Sequence, residues 1–512
     1  MLRILLYCRG FAAILLLSVV IPAMASSFRV QCPGLGGTPT YTNLHPNPTA
    51  PSTLSAIAAA GSGATYASVF PGQIKCQEIA GGDGFATMAD GTQIYLFGFG
   101  PLSGRALLDQ GLPGTQTAAA FNLDVSTNLN GSASEPAAIM NLGVLSAQQP
   151  APMMAIDEDD EYFLTLSNVG QIMRPDLFEQ HTVHFHGYPN ASSFFDGVPD
   201  ASIAINISGS FTYYYTAPDA GTYFFHCHIA PPEHLQMGMV GQLYVRPRQN
   251  RLPVGADLKS ALIAANLKAA RPVPGYNPDA WNGMMCSDIL CTGQTPVPAN
   301  SAVRGAVTVK YAYNDGDGST RYDVEYPIQL MGFDPNFHYV GMTFNPEAFA
   351  DMKDKYFMIS GRGYPDTINT NVTNTGIDAK GMAVPNGPIY TMSSDGASRS
   401  SQPVPTLINI PSGGRALLRI SDLNVTEFHT LATVGIPMLV IGNNARLLRD
   451  MAGNNLYYQT NSVTLGGGES VDVILDAATV SPGTYFLYST NLDHLSNDAE
   501  NFGGMMTEIV VN

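Results

Sequence analysis

The sequence predicts an all-β protein made of two sandwich-like halves in series, and three observations carry that expectation. Short runs rich in aromatic and β-branched residues recur between turn residues: TQIYLFGFG, EYFLTLSNV, HTVHFHG, SFTYYYT, GTYFFHCH and GMVGQLYVRP. Runs of this length with no sustained helical period indicate a β-sandwich or barrel. The same texture returns from about residue 305, and the two stretches look like repeats. HTVHFHG (181–187) aligns with HTLATVG (429–435), and GTYFFHCH (221–228) with GTYFLYST (483–490).

Taken in order, residues 1–25 place Arg3 and Arg9 before the apolar run FAAILLLSVVIPAMA, which ends in Ala23-Met24-Ala25. This is the pattern of a secretory signal peptide, too short for a membrane span. Its removal would take two positive charges from a chain whose formal charge is already -17. Residues 26–75 are rich in Ala, Gly, Pro, Ser and Thr and read as an irregular arm. The first β domain is expected over 76–248 and the second over 305–512. Between them, 249–304 reads as a linker whose segment ADLKSALIAANLKAA (256–270) has helical spacing.

Six cysteines are present, and Cys8 would leave with the signal peptide. Cys227 sits in a ligand pattern, so Cys32, Cys76, Cys286 and Cys291 remain as an even set for two disulfides in an oxidising compartment, Cys32 with Cys76 and Cys286 with Cys291. A second reading of Cys286 and Cys291, flanked by Met284 and Met285, is a copper-delivery site. Only 24 Lys and Arg stand against 41 Asp and Glu. That balance argues against nucleic acid or anionic membrane as a partner.

The chemistry concentrates in GTYFFHCHIAPPEHLQMGMVGQLYV (221–245). His226, Cys227, His228, His234 and Met239 supply a thiolate, imidazoles and a thioether at ligand spacing, the donor set of a blue copper site. Structural zinc is the weaker reading, because no fitting Cys-x-x-Cys occurs. Strand parity then sorts the histidines, since residues i and i+2 share a face and i+1 points away. With Cys227 facing one way, His226 and His228 face the other. In HTVHFHG, His184 and His186 share a face that His181 does not. Two sites follow: His181, Cys227, His234 and Met239 on one side, and His184, His186, His226 and His228 on the other.

These motifs resemble those of the multicopper oxidases. The resemblance implies two cupredoxin-like Greek-key sandwiches, type-1 copper on the first set and a type-2/type-3 cluster, or part of one, on the second. Two departures stand beside it. The segment between His228 and His234 is two residues longer than the commonest form, and a full cluster uses eight histidines where four match. In the second repeat Ala432 and Val434 replace His184 and His186, and Tyr488, Ser489 and Thr490 replace His226, Cys227 and His228. His429 matches His181, and His494, Met505 and Met506 lie near the old ligand positions. The second domain is therefore expected to be degenerate and structural, with His338 and His494 as packed or surface residues.

The function expected is a secreted or periplasmic oxidoreductase that takes electrons from a small reducing substrate or metal ion at type-1 copper and gives them to dioxygen. Asp196 and Glu233, the acids nearest the motifs, are candidates for proton delivery. Two other classes stay open: a copper nitrite reductase, against which His184 stands where an acid is expected, and a non-catalytic blue-copper carrier. The shortage of cluster histidines also predicts a homo-oligomer in which a second copy supplies the missing pairs.

Overall fold

The computed structural model describes residues 28–34, 72–256, 258 and 308–512, apart from 129–134, 188–191, 218, 342–347, 371–375, 378–382, 385–400 and 451–452. Residues 1–25, read above as a signal peptide, most of the segment read as an arm, most of the segment read as a helical connector, and Cys286 and Cys291 with Met284 and Met285 lie outside the described residues. Cys32 is disulfide-bonded to Cys76, which ties the described end of the arm to the first strand.

Among the described residues nine strands build the first domain: β1 (Ile74–Thr87), β2 (Gln93–Pro101), β3 (Gln116–Thr117), β4 (Met154–Asp157), β5 (Glu161–Gly170), β6 (His184–Phe185), β7 (Ser210–Thr216), β8 (Gly221–His226) and β9 (Val240–Arg246). One sheet runs β2-β1-β5-β7 with β3 also on β1, and the facing sheet runs β4-β9-β8-β6. Alternation along these strands sends Phe97, Phe99, Leu164, Tyr213, Phe225 and Leu243 into one fully buried core between the sheets. Each large apolar side chain so buried contributes about 1.5–3 kcal/mol.

The second domain repeats the plan. After β10 (Lys310–Tyr311) and β11 (Arg321–Tyr322) come β12 (Val324–Phe333), β13 (Tyr356–Ile359), the small pair β14 (Gly376–Ile377) and β15 (Ala383–Val384), β16 (Ile408–Ile410), β17 (Arg415–Asp422), β18 (His429–Val434), β19 (Met438–Asn443), β20 (Arg446–Leu447), β21 (Tyr458–Thr460), β22 (Ser462–Leu465), β23 (Glu469–Asp476), β24 (Gly483–Ser489) and β25 (Met506–Val511). Its sheets run β13-β12-β17-β23-β19-β20, with β21 on β19, and β16-β25-β24-β18-β22. Register matches between the repeats: β6 sets His184 opposite His226, and β18 sets Ala432 opposite Tyr488.

The two domains share buried surface. Leu96, Phe224 and Val240 of the first pack with Met331, Phe333 and Met358 of the second. Across this seam the buried His338 lies between the carbonyls of Tyr95 and Gln236, so it is a packing residue.

Three features escaped the sequence reading. β1 carries Gly81, Gly82 and Gly84, a composition that reads as loop, yet it pairs with both β2 and β5. Helices Ala118–Asn128 and Pro136–Gly143 cover one flank of that strand. Glu78 is fully buried there, with Oε1 accepting from Ser167 and Oε2 unpartnered.

Burial pushes the Glu78 carboxyl from 4.5 up to about 8, against the opposing pull of Ser167. The folded protein therefore holds a proton that the unfolded chain releases, and stability from this site is complete below the unfolded value and lost as pH rises towards 8. Glu78→Gln should raise the melting temperature by several degrees at about pH 9 and by much less at about pH 5, as read by thermal unfolding at the two pH values. Equal shifts would contradict a neutral buried carboxyl.

Candidate metal centres

The first centre lies where β8 runs out of its sheet. Cys227 follows the last residue of β8 and is completely buried. Its N–H donates to the Met239 carbonyl at 3.2 Å, and the Met239 N–H donates to the His234 carbonyl at 2.9 Å. Helix Pro231–Gln236, opened by two prolines suited to a first turn, returns His234 to the sulfur. His234 Nδ1 stands 3.2 Å from Cys227 Sγ and His181 Nδ1 stands 3.9 Å from it. The three ligand atoms lie within 4.8 Å of one another. Met239 is equally buried in the same core.

Neighbours hold the set in place. The Thr182 N–H points at Cys227 Sγ at 3.4 Å, and the edge of Phe97 packs on the His234 ring at 5.2 Å. Gly81 makes room for His181, because a β-carbon there would come within 2.8 Å of the ring. Burial alone would raise the Cys227 thiol, but His234 and His181 more than reverse this and hold it well below the ordinary value. Burial likewise opposes charge on His234, yet Cys227, and then Glu179, push it up to about 10. Each partner favours the charged form of the other, in a pocket whose donors suit a soft cation.

The second centre is on the opposite face. Ligand atoms of His184, His186 and His226 converge within 4.8 Å, and His186 Nε2 stands 2.8 Å from His226 Nε2. The His228 ring stacks on His226 at 5.5 Å and meets His184 edge-on at 5.1 Å, placing it beside the converging three. Two tautomers are set by carbonyls. His184 Nδ1 donates to the Asp196 carbonyl at 2.7 Å and His226 Nδ1 to the Cys227 carbonyl at 2.7 Å. Each then presents a bare Nε2 to the centre.

Burial, reinforced by the neighbouring histidines, lowers His226 well below its ordinary value and takes His186 down to about 4; burial also lowers His184. These rings are neutral donors at neutral pH. Donor chemistry and convergence fit a copper ion at each centre.

Of the two acids picked from sequence, Asp196 reaches the histidine face, with Oδ2 at 3.6 Å from His184 Nδ1. Gly197, at φ 81°, lets its loop close there, since a β-carbon would strike the Val183 carbonyl. Glu233 belongs to the helix that carries His234, on the thiolate side. The residue that sequence reading missed is Glu179. Its Oε2 lies 3.5 Å from His234 Nε2, and its side chain is 26% exposed while that of His234 is wholly buried. Its position two residues before His181 was the only signal available.

Comparison with known proteins places these centres in a familiar segment. A family model described as multicopper oxidase matches residues 132–250. Multicopper oxidase MCE of Talaromyces pinophilus is 32% identical over 108 residues, 21% of this chain and 16% of that protein. Laccase abr2 of Aspergillus fumigatus is 31% identical over 109 residues, 21% and 17%. The aligned part thus spans about a sixth of each relative's length. Among solved structures, the blue copper oxidase from Nitrosomonas europaea aligns over 85% of both chains at 17% identity and a TM-score of 0.48.

Proposed function

We propose, from the premise that residues 132–250 belong to the multicopper oxidase family, that this protein is a copper-dependent oxidase coupling one-electron oxidation of a small reductant to reduction of dioxygen. Copper at the His181–Cys227–His234–Met239 centre would take up electrons singly, and copper at the histidine face would deliver them to dioxygen. The observation that carries the reading is adjacency. Cys227 and its neighbours His226 and His228, where β8 ends, serve opposite centres, so the two centres are joined by a few covalent bonds, with neighbouring α-carbons about 3.8 Å apart. The His226–Cys227 link is closed further by the hydrogen bond from His226 Nδ1 to the Cys227 carbonyl.

The chain's own groups have distinct tasks here. Glu179 bridges the buried His234 to solvent, and the nearby His234 lowers its carboxyl further than burial raises it. It stays ionised, ready to attract a cation or accept a proton from a phenol. Glu179→Gln should leave the blue colour intact while cutting kcat/KM for the reductant on the order of tenfold or more, the cost of one charge-assisted contact. An unchanged kcat/KM would place electron entry elsewhere. Asp196 is the acid best placed to pass protons to the oxygen-reducing face.

Four histidines are half of what a complete cluster uses, so a second copy facing the first through His184, His186, His226 and His228 is part of this reading. Mass measurement of the copper-loaded protein in solution should give a dimer; a monomer that turns over dioxygen to water would overturn that part. Export is supported by the Cys32–Cys76 disulfide, a bond that persists in oxidising compartments. Among the described residues no helix is long and apolar enough to cross a membrane.

A further inference from the structure

The second domain reproduces much of the thiolate centre's contact pattern with an oxygen in place of sulfur. Ser489 takes the position of Cys227: its N–H donates to the Met505 carbonyl at 2.9 Å, and the Met505 N–H donates to the His494 carbonyl at 2.8 Å. His494 Nδ1 lies 3.1 Å from Ser489 Oγ, against 3.2 Å from His234 Nδ1 to Cys227 Sγ. His494 Nε2 meets Glu427 at 2.9 Å, as His234 Nε2 meets Glu179 at 3.5 Å. Both glutamates stand two residues before the first histidine of their repeat. The His429 and His494 rings are 5.2 Å apart, and those of His181 and His234 are 5.4 Å apart. Ser489, His429, His494 and Met505 are all buried.

We infer that the second domain holds a latent type-1 copper site, lacking its thiolate and with one histidine engaged by a carboxylate, and that Ser489→Cys alone makes it bind copper. This rests on reading His181, Cys227, His234 and Met239 as the working version of the same site. A serine hydroxyl is a poor ligand for a soft, thiolate-seeking ion, and here it is hydrogen-bonded to His494 instead. Asp422 is the second departure: its Oδ2 lies 3.1 Å from His429 Nδ1, so it competes for the nitrogen that would face the metal. A cavity of about 710 Å³ opens against His494, Glu427, Asn491, Phe357 and Asp354, which gives an ion a route to the site.

The test uses the full-length chain. In a Cys227→Ser background, adding Ser489→Cys should bring back an intense visible absorption and one tightly bound copper per chain. Freeing His429 with a further Asp422→Asn should strengthen the binding. Folded double and triple variants that stay colourless and gain no copper would overturn the inference. Ser489→Cys in the otherwise native chain serves as an independent check, expected to add one copper and roughly double the blue absorbance if both sites have the same ligand set. Failure of that single variant to fold would also count against it, because a pocket shaped for sulfur must accept sulfur. A colourless native protein would refute the first-domain reading, and copper uptake by Ser489→Cys would still decide the latent site.

Discussion

Replacing Cys227 by serine should bleach the protein and abolish turnover while leaving it folded. The substitution is nearly isosteric, and the Met239 carbonyl and Thr182 N–H that meet residue 227 remain in place. Packing costs are therefore small. What disappears is the sulfur, the donor responsible for intense visible absorption at such a site and the first atom on the path to His226 and His228. With it goes the partner that pushes His234 up to about 10. Visible absorption and circular dichroism on the purified variant check both halves of this expectation. A Cys227→Ser protein that is still blue would remove the basis for the first centre.

The complementary change gives the second large effect. His226→Ala should leave the protein blue but unable to pass electrons to dioxygen, so turnover falls to background. His226 points away from Cys227, and its Nε2 converges with His184 and His186. Its loss opens the second centre without altering the ligands of the first. The expected signature is asymmetric: a reductant bleaches the variant and air fails to restore the colour. Prompt recolouring in air would mean that oxygen is reduced without the histidine face.

How much of this was legible in the sequence follows from the length scale of each feature. Strand parity acts over two residues, so the order of residues alone separates His184 and His186 from His181, and Cys227 from its flanking histidines. The pairing of His184 with His226 continues that logic across one ladder. Glu179 is different, because its contact with His234 joins residues separated by three strands and the loops between them. Asp196 was picked for nearness in sequence, yet its tightest contact to His184 is through the main-chain carbonyl, which any residue there would offer. Gly-rich β1 was hidden because its small residues reflect close approach by His181, Val169 and other neighbours. Met505, rather than Met506, takes the place of Met239 in the second repeat. Only the pairing of its main chain with Ser489 and His494 separates the two.

The central claim, two copper centres wired through adjacent residues at the end of one strand, is tested most directly by counting copper per chain in the native protein and recording its optical and paramagnetic resonance spectra together. The account predicts an intense blue absorption with its narrow-hyperfine copper signal, and further copper beyond that one ion, bound at the histidine face. A protein with a single blue copper and nothing else would be an electron carrier, and that result would contradict the account.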